Sequence, residues 1–261
     1  MIEFLLSYVC TDMDKTELNN CKMLSMAATL QLYVYNGIDE KDTLSGAPVG
    51  FGSGCIFNNF ILSVLHGCPK KPGQIIVATA SIDSTGQTLN QILNPQYMKL
   101  GKISDEGVLS DFEEVDFFYS KFDESQKYSF LVPDSSPGLF HEYERLRLSE
   151  IIEPNKDEEY FFFGLTRNKP NLKDKRIDAS PRFSTCKFIQ ETNLKPFFYR
   201  FEMDEIFHDA DDLRGCSGAP ILNTEGKLVS LVVCALIPTN VLFGINLYRL
   251  NEIIKATEAT T

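Results

Sequence analysis

A chain of 261 residues has room for one large domain or two ordinary ones and can bury a substantial core. Its net charge of −11 argues against a nucleic-acid-binding face and against docking on an anionic membrane surface. No apolar run reaches membrane-spanning length, and the first residues carry Glu3 where a secretion signal needs bases. Seven cysteines, an odd count without repeated spacing, read as reduced thiols in a cytoplasmic protein. The sequence holds no CxxC or HxxxH spacing, so no metal site and no cofactor is expected.

Residues 1–26 read as an N-terminal lead-in, helical around 12–26. From residue 27 the pattern turns to β. Residues 28–35 alternate apolar and polar positions and end at the turn signal Asn36-Gly37. Residues 49–66 read as two strands joined at Asn58-Asn59, a hairpin with His66 at its far end. Strands are expected at 74–80, 97–103 and 115–119, the last carrying one carboxylate, Asp116, in an apolar run. Between 125 and 157, prolines, Gly138 and a series of charged residues break the pattern. The expected organisation is therefore a first β-domain over 27–130, a linker over 131–157 and a second β-domain over 158–261. In the second half, 160–164, 195–201, 221–222, 228–235 and 243–248 read as strands, and 250–256 has the apolar spacing of a terminal helix. Many short strands between turn signals predict an all-β protein built from sandwiches or barrels.

The chemistry concentrates in Arg214-Gly215-Cys216-Ser217-Gly218-Ala219-Pro220. A serine between two glycines suits a hydroxyl held on a tight turn. Gly215 allows close approach and lets amide N–H groups converge on one spot, Gly218 leaves room for substrate beside the hydroxyl, and Pro220 sets φ as the next strand begins. Such a nucleophile needs a base and an orienting carboxylate from elsewhere. His66, at the end of an apolar strand and followed by Gly67, is preferred over His141 and His208, which sit in charged contexts. Asp116 is the preferred carboxylate, because a charge inside an apolar strand demands a partner, and the N–H of His66 could supply it. Asp111 is the alternative if the register differs.

These three segments resemble the signature blocks of the trypsin-like (chymotrypsin-fold) serine peptidases. The 52–66 hairpin resembles the strand pair leading to the family's histidine, and Val115-Asp116-Phe117-Phe118 resembles its aspartate strand. Gly215-Cys216-Ser217-Gly218-Ala219-Pro220 resembles its G-x-S-G-x-P motif, and the order His, Asp, Ser is the family's order. The resemblance implies two packed six-stranded Greek-key barrels with a C-terminal helix and an active site in the cleft between them. It implies Ser217 as nucleophile, His66 as proton carrier, Asp116 as its orienting partner, and the N–H groups of Gly215 and Ser217 as the oxyanion hole. Asp211 stands where trypsin itself has the floor of its primary pocket, which implies a preference for Arg or Lys. The acidic run 208–212 reads equally as a solvated face. Val233, Cys234 and Ala235 would form the pocket wall, with Gly244 lining it.

Departures from the family limit what carries over. No activation cleavage site is recognisable, and Cys216 stands where the digestive enzymes carry the aspartate of their zymogen switch, so that switch is not transferred. The chain looks closer to the intracellular bacterial or viral branch. Cys216 is a second candidate nucleophile and a candidate for regulation by thiol oxidation, although the flanking glycines are spaced for Ser217. An α/β-hydrolase is excluded, because no histidine follows Ser217. Two functions stay open: an active endopeptidase on protein or peptide substrates, and a protease-like module that binds a partner, silent or latent until an activating protein engages it. The oligomeric state is not readable.

Overall fold

The computed structural model describes residues 15–37, 48–67, 69, 71–82, 88–103, 109–125, 127–133, 140–171, 176–192 and 198–251. Helix α1 (Lys15–Ala28) precedes seven strands: β1 (Leu30–Tyr35), β2 (Gly50–Phe57), β3 (Phe60–Ser63), β4 (Ile75–Ile82), β5 (Thr88–Ile92), β6 (Gln96–Ile103) and β7 (Leu109–Lys121). They form one curled sheet in the order β5-β4-β1-β2-β3-β7-β6. A hairpin of β8 (Ser129–Pro133) and β9 (Phe140–Glu144) follows, then β10 (Arg147–Leu148), which pairs parallel to β2. The second half consists of β11 (Glu159–Asn171), β12 (Arg176–Glu191), β13 (Phe198–Met203), β14 (Pro220–Asn223), β15 (Leu228–Leu236) and β16 (Val241–Ile245). These close into a six-stranded barrel, β11-β12-β13-β16-β15-β14.

The protein is therefore all-β, but its halves are unequal. Among the described residues the first sheet stays open between β5 and β6 instead of closing as a six-stranded barrel. Side chains bridge from the β5 end to β7: Gln91 Nε2 donates to the Lys121 carbonyl at 3.0 Å, and Ser120 Oγ accepts the Asn94 N–H at 3.0 Å. The chain turns helical again over 247–251, with Asn246 Oδ1 accepting the Arg249 N–H at 3.1 Å as an N-cap. The rest of the expected terminal helix, 252–256, lies outside the described residues, as does most of the 1–26 lead-in.

Where the strands meet between the halves they run apolar on both faces, as in Phe60–Leu62, Phe117–Phe118 and Tyr160–Phe163. In β3, Phe60 and Leu62 point into the seam between the halves, while Ile61 points into the first sheet's own core. In β7, Val115 and Phe117 face the seam and Phe118 faces inward. The second barrel answers with Phe161, Leu222, Leu231 and Val233 on the seam and Tyr160, Phe162, Ile221 and Val232 inside. The period of two thus sorts one apolar run into two packing layers.

The connection between the halves is bonded to both of them. The N–H of Leu228 donates to the Glu150 carbonyl at 3.1 Å, and the N–H of Ile152 donates to the Leu228 carbonyl at 2.9 Å, two residues beyond β10 on β2. Helix α1 is held to the same region. Arg145 Nη1 donates to the Met26 carbonyl at 2.7 Å and to that of Thr29, and the Leu146 N–H donates to the Ala27 carbonyl at 2.8 Å. Positive charge at the helix C-terminus is favourable there.

Burial also sets the alkaline behaviour. The Cys55, Cys186 and Cys216 thiols are buried, and burial raises the pKa of each above its ordinary value of 9.0, that of Cys216 to about 12. Above pH 9 the unfolded chain releases protons that the folded chain keeps. The stability held by these thiols is therefore complete below pH 9 and falls as pH rises above it. The urea midpoint is expected to drop clearly between about pH 8 and about pH 10; an unchanged midpoint would contradict three buried, protonated thiols.

Candidate active site

His66 stands in a short 3-10 turn, Leu65–Gly67, just beyond β3. The strand's buried residues anchor it, and the turn lifts the ring to the surface, where its side chain is 42% exposed. The register Ser63↔Phe118 between β3 and β7 carries Asp116 past the end of β3 and opposite that turn. Asp116 then grips His66 twice. Its Oδ1 accepts the backbone N–H of His66 at 2.8 Å, and its Oδ2 lies 2.7 Å from Nδ1. The two contacts fix both the backbone and the ring plane. With an ionised carboxylate as partner, Nδ1 carries the proton and Nε2 is left as the acceptor.

Ser217 lies on a turn whose shape follows from its glycines. The Cys216 N–H donates to the Leu213 carbonyl at 2.8 Å, closing a four-residue turn with Gly215 third at φ +107°. Positive φ at that position selects a type II turn, in which the Arg214–Gly215 peptide is flipped relative to type I. The N–H groups of Cys216 and Gly218 are taken up by the carbonyls of Leu213 and Val232. Among the described residues those of Gly215 and Ser217 donate to no backbone carbonyl. The Ser217 hydroxyl donates to the Val233 carbonyl at 3.1 Å.

Gly218 has a different reason from the one its sequence context suggests. A Cβ there would come within 2.0 Å of the Ser53 carbonyl oxygen and 2.2 Å of Ser63 Oγ. The first half's own strands, not substrate, fill the space beside it. Its φ of +87° is a second reason for glycine.

His66 and Ser217 line the same cleft, a cavity of about 350 Å³. Val233, Cys234 and Ala235 line it too, joined by Phe207, Leu213 and Ile237. Asp211 borders the cleft with a side chain 58% exposed and paired to Arg214 at 3.5 Å, so it sits toward solvent and not on a buried floor. Gly244 is elsewhere. It pairs with Tyr199 and Val232 in the barrel wall, where a Cβ would meet Ser230 Oγ at 2.2 Å. His141 is exposed on β9, and His208 is exposed in the loop before the Ala210–Asp212 turn. The side chain of Asp111 lies outside the described residues.

Two contributors were not legible. Arg182 of β12 braces the cleft wall: Nη1 donates to the Asp212 carbonyl at 3.2 Å, Nη2 pairs with Glu205, and the guanidinium lies 5.2 Å from the centre of the Phe207 ring. Ser53 of β2 binds the Ser217 turn itself, its Oγ donating to the Gly215 carbonyl at 2.7 Å and its N–H to the Ser217 carbonyl at 2.8 Å. Each bond spans residues far apart in sequence, and nothing local signals it. Among the described residues no group of three or more His, Cys, Asp or Glu side chains gathers to hold a metal. No helix among them is long and apolar enough to cross a membrane.

No protein-family model matches the sequence, and no curated protein matches it. In three dimensions the chain is similar to a serine endoprotease from Yersinia pestis, with a TM-score of 0.53 at 13% identity over 94% of this chain and 67% of that one. At that identity the likeness establishes the fold, an all-β arrangement of the trypsin-like type.

Cys216 is fully buried, with its sulfur packed on Gly164, where a Cβ would lie 2.5 Å from it. Burial holds its thiol protonated at neutral pH, so it supplies no thiolate. Cys234 is exposed. Iodoacetamide at about pH 8 should alkylate Cys234 in the folded protein and leave Cys216 untouched by peptide mass mapping; modification of Cys216 without unfolding would contradict its burial.

Proposed function

We propose that the protein is a serine endopeptidase acting on protein or peptide substrates through Ser217, His66 and Asp116. The observation that carries this reading is the double grip of Asp116 on His66, with the ring facing the cleft that also holds Ser217. Rotation about the Ser217 Cα–Cβ bond takes the hydroxyl off the Val233 carbonyl and toward His66 Nε2. The imidazole accepts the hydroxyl proton as Oγ attacks the scissile carbonyl carbon. The resulting imidazolium is stabilised by Asp116. The carbonyl π electrons move onto oxygen, and the N–H groups of Gly215 and Ser217 receive that oxyanion. Collapse expels the amine, which takes the proton from His66. Water then repeats the sequence on the acyl-enzyme and releases the carboxylate product.

The apolar wall of Phe207, Leu213, Val233 and Ile237 favours an uncharged side chain before the scissile bond over Arg or Lys. The free thiols of Cys21, Cys55, Cys186, Cys216 and Cys234 suit a reducing compartment such as the cytoplasm. A second reading is favoured by one observation: the Ser217 hydroxyl bonds the Val233 carbonyl, as expected of a latent module awaiting a protein partner.

Cleavage of a peptide library separates the readings. Ser217→Ala and His66→Ala should each lower kcat by about 10³-fold or more, with Asp116→Asn close behind, in proteins that keep the wild-type Tm. Wild-type protein that cleaves nothing alone but does so with a partner supports latency. Cleavage undiminished in Ser217→Ala would refute the assignment.

A further inference from the structure

The nucleophile turn belongs to the second barrel, yet the groups that hold its peptide planes come partly from the first sheet. Ser53 is fully buried on β2 and touches the turn at two carbonyls, those of Gly215 and Ser217. Its own carbonyl accepts the Ser63 hydroxyl at 2.5 Å. Ser63 is the last residue of β3, just before the turn that carries His66. A continuous chain of hydrogen bonds thus runs from the histidine strand through Ser53 to the serine turn, behind the cleft.

The geometry points to Ser53 as the positioning residue of the oxyanion-binding turn, an inference that rests on the peptidase reading above. Two peptide planes are each held from both ends. In the Gly215–Cys216 peptide, the carbonyl accepts from Ser53 Oγ and the N–H donates to the Leu213 carbonyl. In the Ser217–Gly218 peptide, the carbonyl accepts from the Ser53 N–H and the N–H donates to the Val232 carbonyl. The two oxyanion donors, the N–H groups of Gly215 and Ser217, lie on the peptides directly adjoining these fixed planes. With the neighbouring planes locked, the orientation of each donor is reduced to the few torsions between them. Gly215 makes the lock necessary, because a glycine at positive φ can relax readily to the opposite peptide orientation. Removing the Ser53 hydroxyl frees the Gly215 carbonyl and loosens the donor next to it. The backbone bond to Ser217 remains.

The effect falls on the transition state, since the donors are aimed where negative charge develops and bind the ground-state carbonyl more weakly. Complete loss of one such donor costs about 10²–10³ in rate, so loosening one should lower kcat about tenfold with KM within about twofold. The test is the full-length Ser53→Ala protein assayed on the best peptide from the library, with kcat expressed per site labelled to completion by a fluorophosphonate. Normalising to labelled sites removes any loss that comes from a misfolded fraction. A peptide aldehyde, whose adduct oxyanion needs the same donors, should bind about tenfold more weakly, whereas the corresponding product peptide binds as to wild type. Ser53→Cys, close in volume but a weak donor, should behave like the alanine variant and serves if alanine prevents folding. Either variant folding with kcat per labelled site and aldehyde affinity within twofold of wild type would overturn the role. So would failure of both variants to fold, which would make Ser53 a folding residue. Wild-type protein that neither labels nor cleaves refutes the peptidase reading, and this inference with it. Active wild type beside equally active variants refutes the inference alone.

Discussion

The site depends on an apolar seam. His66 and Asp116 come from an open sheet and Ser217 from a closed barrel, and the proposed triad requires that their relative positions be fixed. What fixes them is a single layer of buried side chains, including Phe57, Leu62 and Phe117 from one side and Phe161, Leu231 and Val233 from the other. Fully burying an aromatic or aliphatic side chain contributes about 1.5–3 kcal/mol, so a layer of this size holds the halves in one relative position. Polar bonds then set the register across it. Ser53 clamps the Ser217 turn, and the 146–152 segment is bonded to both halves and to α1.

On that frame the chemistry needs few parts. The carboxylate of Asp116 holds His66 with both oxygens, one on its backbone and one on its ring. Ring tautomer and orientation are therefore decided before substrate arrives, which is what a general base requires. The turn sequence assigns its N–H groups in alternation. That of Cys216 closes the turn and that of Gly218 bonds to Val232, while among the described residues those of Gly215 and Ser217 donate to no backbone carbonyl and are the proposed oxyanion donors. Cys216, beside Ser217, is kept from the cleft by the same geometry, since its side chain enters the barrel core as that of Ser217 reaches the cleft.

Much of this was legible in the sequence where local pattern carries the information. The β2–β3 hairpin, its Asn58-Asn59 turn and the strand with Asp116 follow from period-two patterning and turn chemistry, and Asn58 does adopt positive φ at 49°. The serine turn follows from its glycines. What was not legible is set by distant partners. The first half was expected to close as a barrel, but its polar β5 edge meets β7 through Gln91 and Ser120 instead of a backbone ladder. The stretch 131–157, read as a linker, contains part of β8 together with β9 and β10, and β10 pairs with β2 far away in sequence. The long β12 escaped notice because Arg and Lys interrupt its apolar positions. Helix α1 runs to Ala28, beyond the point where strand was expected, because that end packs on the seam and is held by Arg145. Gly218 was assigned to substrate, yet it is needed for the close approach of Ser53, a contact between residues of different halves.

In the proposed function, side chains from the two halves converge to make one hydroxyl, that of Ser217, nucleophilic. Stopped-flow reaction with a chromogenic peptide ester, followed by mass mapping of the acid-quenched protein, tests it most directly. The expected outcome is a burst of about one equivalent of leaving group per chain and an acyl group on Ser217. Turnover with the acyl group on Cys216 or another residue, or reaction without any burst or adduct while ester hydrolysis persists in Ser217→Ala, would contradict it.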